Sequence, residues 1–160
     1  MLILPRMTQD PLVEQAREAA LRAYAPYSKF SVGCAVESID GEIVLGANME
    51  NACYRLGICA EVSALTAARQ AFGLDRVKRI AVAGGHIGPD GGLSGASPVT
   101  PCGGCRQSIY EAADLSGLDI EVVSSNGDGT ETIVSTIRAL LPHGFGPGSL
   151  ADAGGEGAAR

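Results

Sequence analysis

Residues 30–50, FSVGCAVESIDGEIVLGANME, carry the strongest short-range folding signal in the chain. Two runs rich in Val, Ile and Ala flank Asp40-Gly41, and Asp-Gly tolerates the positive φ angles that a tight turn between paired strands demands. The spacing predicts strands over 31–38 and 42–48. Upstream, Asp10-Pro11 offers an N-cap oxygen and then a proline whose missing N–H costs nothing at the first helical position. Leu12, Val13, Ala16, Ala20 and Leu21 form one apolar face, so a helix is expected over 11–24, ahead of Pro26. Downstream, CAEVSALTAARQAF (59–72) has neither Gly nor Pro and reads as a second helix, ended by Gly73. RIAVAGG (79–85) is a buried-strand type of run, whereas HIGPDGGLSGASPVT (86–100) is too rich in Gly, Pro and Ser for regular structure and is expected as a surface excursion. A helix is predicted from the PCGGC turn to about 113, followed by a strand in DIEVVSS, a turn at NGDG and a last helix in IVSTIRALL. Strands interleaved with helices and opened by a hairpin imply an α/β fold. The expected form is a three-layer α/β/α sandwich with a mixed, about five-stranded sheet.

With 160 residues, 46% of them hydrophobic, the chain suits one domain, taken as 1–150. The ending ADAGGEGAAR (151–160) has too little apolar surface to order itself and is expected to be a disordered tail. A net charge of −6 and a pI near 4.8 oppose a nucleic-acid partner, which needs a basic stripe to displace phosphate counterions. A small-molecule substrate is expected instead. The opening MLILP is too short for the apolar part of a signal peptide and no later run approaches a membrane span, so a cytoplasmic protein without membrane association is expected. Five cysteines, an odd number in a chain read as unsecreted, favour a metal site or a reactive thiol over a disulfide framework.

Two of those cysteines, Cys102 and Cys105, stand in PCGGC. Cys-x-x-Cys lets two sulfurs reach one ion across a single turn, but the same spacing serves dithiol redox chemistry and iron–sulfur ligation. The candidate third ligand is Cys59, at the predicted start of the other helix, with Glu61 two residues along. Helix N-termini stabilise thiolates, and three protein ligands leave the fourth tetrahedral position of a zinc site for water. Glu61 is then the candidate proton carrier. Alone, Glu61 is only the acidic residue that a first helical turn favours; the cysteines give it meaning. Cys34, in a strand, and Cys53, in a loop, read as structural, and His86 and His143 read as ordinary loop residues.

From about Ala23 to Leu150 the chain resembles the cytidine deaminase family, in its small, three-cysteine, usually tetrameric type. The motifs that carry the likeness are APYSKFSVGCAV, GANMENACYRLGICAE, PCGGCRQ and LLPHGFGPGSL, in that order. The resemblance implies a cytidine deaminase-like fold and one zinc ion per subunit on Cys59, Cys102 and Cys105. It also implies that Glu61 moves the protons of a hydrolysis that turns cytidine and 2′-deoxycytidine into uridine and 2′-deoxyuridine plus ammonia, as in pyrimidine salvage. By the same likeness Asn48 and Glu50 meet the sugar, Phe30 packs on the pyrimidine ring, backbone at Ala60 orients the amino group, and Phe145 enters a neighbouring subunit's site in a homotetramer.

The chain departs from the family pattern at Val62, where Arg usually follows the catalytic Glu. Three thiolates and Zn²⁺ sum to a net negative centre, and the expected compensation is two helix N-termini, with Arg106 as a further contributor. Cys34 in place of alanine and the long loop 86–100 are lesser departures. An alternative substrate is therefore a modified cytosine nucleoside or a blasticidin-like aminopyrimidine nucleoside, although Asn48 and Glu50 favour an ordinary nucleoside. A zinc-stabilised scaffold would need a fourth protein ligand and no Glu beside it. RNA or DNA editing would need a basic groove that this acidic chain lacks.

Overall fold

The computed structural model describes residues 10–152. Helix α1 (Pro11–Ala20) begins where Asp10 Oδ1 accepts the Leu12 N–H at 3.0 Å. Next come β1 (Ser31–Ser38) and β2 (Ile43–Ala47), helix α2 (Ala60–Ala71), β3 (Val77–Ile87), the short β4 (Leu93–Ser94) and α3 (Gly103–Ser116). The chain closes with β5 (Glu121–Asn126), β6 (Thr132–Thr136), α4 (Ile137–Leu140) and α5 (Pro147–Asp152). The main sheet runs in the order β2-β1-β3-β5-β6, with β4 paired to the far end of β3. Only β3 and β5 are parallel to each other among the paired neighbours, so the sheet is mixed.

Alternation along the strands feeds two cores. Cys34, Val36, Ile80, Val82 and Val122 face α2 and α3, whereas Ala35, Ala81, Ala83 and Val123 face α1 through Leu12, Val13, Ala16 and Ala20. Helices on both faces of one mixed sheet make the α/β/α sandwich expected of the sequence.

Several expectations change at the element level. The first helix stops at Ala20 rather than 24 because Tyr24 pairs with Met49, its N–H donating to Asn48 O at 3.0 Å and its carbonyl accepting from Glu50 N–H at 2.8 Å. Segment 86–100 is not wholly irregular: β3 runs on to Ile87, Leu93 and Ser94 pair back onto it, and Leu93 joins the α1-side core at 7% exposure. The predicted last helix over IVSTIRALL is a strand followed by one helical turn. Its first half lies in Thr132–Thr136, β-branched at nearly every position and paired antiparallel with β5, which outweighs the helical reading. Ala151 and Asp152, placed in the expected tail, close α5; the remainder of that tail lies outside the described residues.

Candidate active site

Helix α2 lies directly on β2. A Cβ added at Gly46 would stand 2.3 Å from the Ala64 nitrogen, so the helix backbone occupies the space a side chain would need. Ala60, Ala64 and Ala68 are fully buried along that contact. Helix α3 packs beside α2 through Cys105, Ile109, Ala112 and Ala113. This arrangement brings both helix starts together: Cys59 is the N-cap of α2, Cys102 the N-cap of α3, and Cys105 lies in the first turn of α3. The three sulfurs lie within 4.8 Å of one another. The Cys59 sulfur makes no capping hydrogen bond.

Three soft donors this close, at two positive helix ends, fit a thiophilic divalent ion, zinc above all, and leave a tetrahedral position over. The Cys102 thiol is held below its ordinary pKa chiefly by the Cys105 N–H, with the Gly104 N–H adding to it. Burial pushes Cys105 and Cys59 up, and the Glu61 charge acts in the same direction on both. Three thiolates are therefore mutually unfavourable until a cation joins them. Arg106 does not meet the sulfurs. Its Nε donates to Pro101 O at 2.9 Å and its Nη1 to Leu140 O at 3.0 Å, so the guanidinium fixes the backbone beside Cys102.

A cavity of about 370 Å³ opens over this cluster, lined by Cys59, Ala60, Glu61 and Cys102 together with Asn48 and Glu50. Glu61 is 4% exposed, a carboxylate otherwise walled in by protein. Asn48 is braced: its Oδ1 accepts from Val32 N–H at 2.8 Å and its Nδ2 donates to Phe30 O at 3.0 Å, tying it to the entry of β1. Glu50 Oε2 accepts the Tyr27 N–H at 2.9 Å and the Ser28 N–H at 3.2 Å. The Ser28 hydroxyl, followed by those amides and Lys29, holds its carboxyl below the usual range.

Phe30 does not line this cavity. Its ring meets His86 edge-on, centroids 5.2 Å apart, over Gly84 and beside Val32 and Val99, which do line it. Phe145 is 60% exposed and lies outside the cavity, its carbonyl accepting from Gln107 Nε2 at 2.7 Å. Val62 lines a separate groove between α2 and α3, with Leu65 and Gln107. Cys34 is fully buried, and burial together with Glu61 keeps it a neutral thiol. Sequence reasoning did not find the apolar wall formed by Val32, Ile58 and Val99, nor Thr100 beside it. The one available signal was that Val99 and Thr100 directly precede PCGGC.

Residues 7–116 match the sequence model of the cytidine and deoxycytidylate deaminase zinc-binding region. The cytidine deaminase of Sporosarcina psychrophila is 37% identical over 139 residues, covering 87% of this chain and 92% of that protein. That of Mycobacterium tuberculosis (strain CDC 1551 / Oshkosh) is 38% identical over 108 residues, 68% of this chain and 74% of the other. Among solved structures, the 1.6 Å crystal structure of cytidine deaminase from Burkholderia pseudomallei superposes with a TM-score of 0.72 at 39% identity, covering 86% of this chain and 99% of that one. Motif order, fold and the convergence of thiols beside a buried carboxylate agree with these likenesses, and the chain belongs to the family of zinc-binding cytidine and deoxycytidylate deaminases.

Proposed function

We propose that the protein is a zinc-dependent hydrolase that converts cytidine and 2′-deoxycytidine into uridine and 2′-deoxyuridine with release of ammonia. The observation that carries this reading is the buried carboxylate of Glu61 on one cavity wall with Cys59 and Cys102, while Asn48 and Glu50 line the same cavity. Cys59, Cys102 and Cys105 are the residues that would hold zinc. Bound there, zinc supplies a Lewis acid that brings the pKa of water toward neutrality.

Glu61 takes a proton from the attacking water and delivers it to ring N3 as the water oxygen bonds to C4. A second proton then passes by way of Glu61 to the exocyclic nitrogen, the C4–N bond breaks, and C4 keeps the oxygen as a carbonyl. Its enclosure suits this work, since little bulk water competes for the proton. In this reading the backbone at Ala60 orients the amino group. Glu50 Oε1 and the lone pair and N–H that Asn48 has in hand meet the ribose hydroxyls, which a half-closed pocket would otherwise leave unpaired. Phe30 backs the wall against which the pyrimidine ring lies.

The same reading makes the protein a homotetramer whose subunits share sites through Phe145. Its support is the exposed apolar set Tyr24, Met49, Tyr54, Leu56 and Ile58, of which Met49 and Ile58 line the cavity and Met49 pairs with both Tyr24 and Ile58. Among the described residues no helix is long and apolar enough to cross a membrane. A single catalytic domain working in the cytoplasm on salvaged nucleosides, and not on nucleic acid, completes the proposal.

The alternative of a modified substrate loses two of its three supports, because Val62 lines the α2–α3 groove and Cys34 is buried in the core, neither of them at the cavity. It rests on loop 86–100 alone. Ammonia release is to be measured with the zinc-loaded protein on cytidine, deoxycytidine, 5-methylcytidine, free cytosine and blasticidin S, with Glu61→Ala alongside. The expected outcome is turnover of the first two and a loss of at least about a thousandfold in the variant with zinc retained. Turnover confined to 5-methylcytidine or blasticidin S would replace the substrate, and undiminished activity in the variant would remove Glu61 from its role.

A further inference from the structure

Between β4 and α3 the chain has no helix or strand of its own, yet it is held along its length. Gly95 N–H donates to Asp128 Oδ1 at 3.1 Å, and Gly95 O accepts from Asp128 N–H at 3.2 Å. Ala96 O accepts from Asn126 Nδ2 at 3.3 Å, and Val99 N–H donates to Ser125 O at 3.1 Å. At the far end Pro101 O takes the Arg106 bond already described. Backbone lies on backbone here: a Cβ at Gly127 would stand 2.6 Å from the Gly95 nitrogen. This strap delivers Val99 and Thr100 to the cavity wall, immediately ahead of Cys102.

Asn126 is the hub of that docking. It is 1% exposed, and its amide is used on both sides. Oδ1 accepts from the Thr130 and Glu131 N–H groups at 2.9 and 3.0 Å, while Nδ2 donates to Thr130 Oγ1 at 3.0 Å and to Ala96 O. Two acceptances and two donations at one buried planar group is a demand only an amide meets, and a buried polar hub loses heavily if one member moves. The β5–β6 turn therefore sets where the strap lies, and with it the part of the cavity wall that Val99 and Thr100 form.

We infer that Asn126 is a positioning residue for substrate binding: through Ala96 it fixes Val99 and Thr100 against the nucleoside, while Arg106 separately fixes the metal-side end of the strap. The inference rests on the deaminase reading for its choice of cytidine as probe.

Asn126→Asp is the selective variant, because it keeps the Oδ1 acceptor for the turn and sets a second oxygen against Ala96 O in place of the donor. Thr130→Val is the control, since it removes the other Nδ2 partner and leaves the strap bond. With zinc-loaded protein, Asn126→Asp is expected to raise KM for cytidine about tenfold with kcat within about twofold. Zinc content is expected to stay unchanged and the Val99 amide to exchange about tenfold faster. Thr130→Val is expected to match the wild type in all four. A lower Tm with wild-type KM and wild-type exchange at Val99 would overturn the inference, as would a KM change accompanied by zinc loss. If the wild type does not turn over cytidine, the deaminase reading fails by itself, and exchange at Val99 still decides whether Asn126 places the strap.

Discussion

Glu50 is a carboxylate held ionised by neutral groups: the Ser28 hydroxyl first, then the amides of Tyr27 and Ser28, with Lys29 contributing charge. Oε2 is taken by the two amides and the residue lines the cavity, which leaves Oε1 for a hydroxyl-bearing ligand. Glu50→Ala is expected to raise KM for cytidine by about ten- to a hundredfold with zinc retained, the cost of losing a charge-assisted hydrogen bond. Steady-state kinetics with an unchanged KM would remove Glu50 from the sugar. At this scale the chemical residues were legible because they cluster where helices begin: Cys59 with Glu61, and Cys102 with Cys105. The wall was not legible. Val32 and Val99 are apolar residues in a strand and a loop, and nothing in their chemistry says which cavity they face. Arg106 was legible as a cation near the thiols, but only coordinates show it spent on two carbonyls.

At the scale of elements, α1 is fastened to the sheet through Asp10, which caps the helix and also receives both terminal nitrogens of Arg79 on β3; Arg79 Nε reaches on to Glu121 of β5. Burial by itself would raise the Asp10 carboxyl, but the Arg79 and Leu12 hydrogen bonds outweigh it and leave the pKa below its ordinary 3.8. A depressed carboxyl stabilises the fold fully above its unfolded value, and that contribution fades as pH falls below about 4 toward the folded value. Asp10→Ala is expected to cost about 2 kcal/mol at neutral pH, from a lost cap and a lost part-buried ion pair, with the difference from wild type shrinking below pH 4 in urea melts. A pH-independent difference would assign the effect to packing. The helix start was readable from Asp10-Pro11 because capping is local. Its end was not, since the Tyr24–Met49 pairing that unwinds residues 21–24 is a tertiary contact. For the same reason IVST looked helical until β5 was beside it, and Leu93 looked like loop until the α1-side core was assembled.

For the molecule as a whole, Phe145 is presented rather than packed. Gln107 holds its carbonyl, Gly146 is wedged against Tyr110 and Asp114, and the ring stays 60% exposed. With the exposed apolar set around Met49 it supports the proposed tetramer, because large exposed apolar side chains grouped together commonly mark an interface. Light scattering is expected to give the mass of four chains, and Leu56→Asp a smaller species; a monomeric wild type would end the shared-site reading. Loop 86–100, finally, is two things joined end to end. Its return leg is locked into the wall of the cavity, but the tip at Asp90-Gly91 is exposed and closes on itself, Asp90 Oδ1 accepting the Gly92 N–H. For protein engineering the tip is a port: a peptide tag or a dye spliced between Asp90 and Gly91 projects into solvent, whereas the same graft between Val99 and Thr100 would fall in the cavity wall.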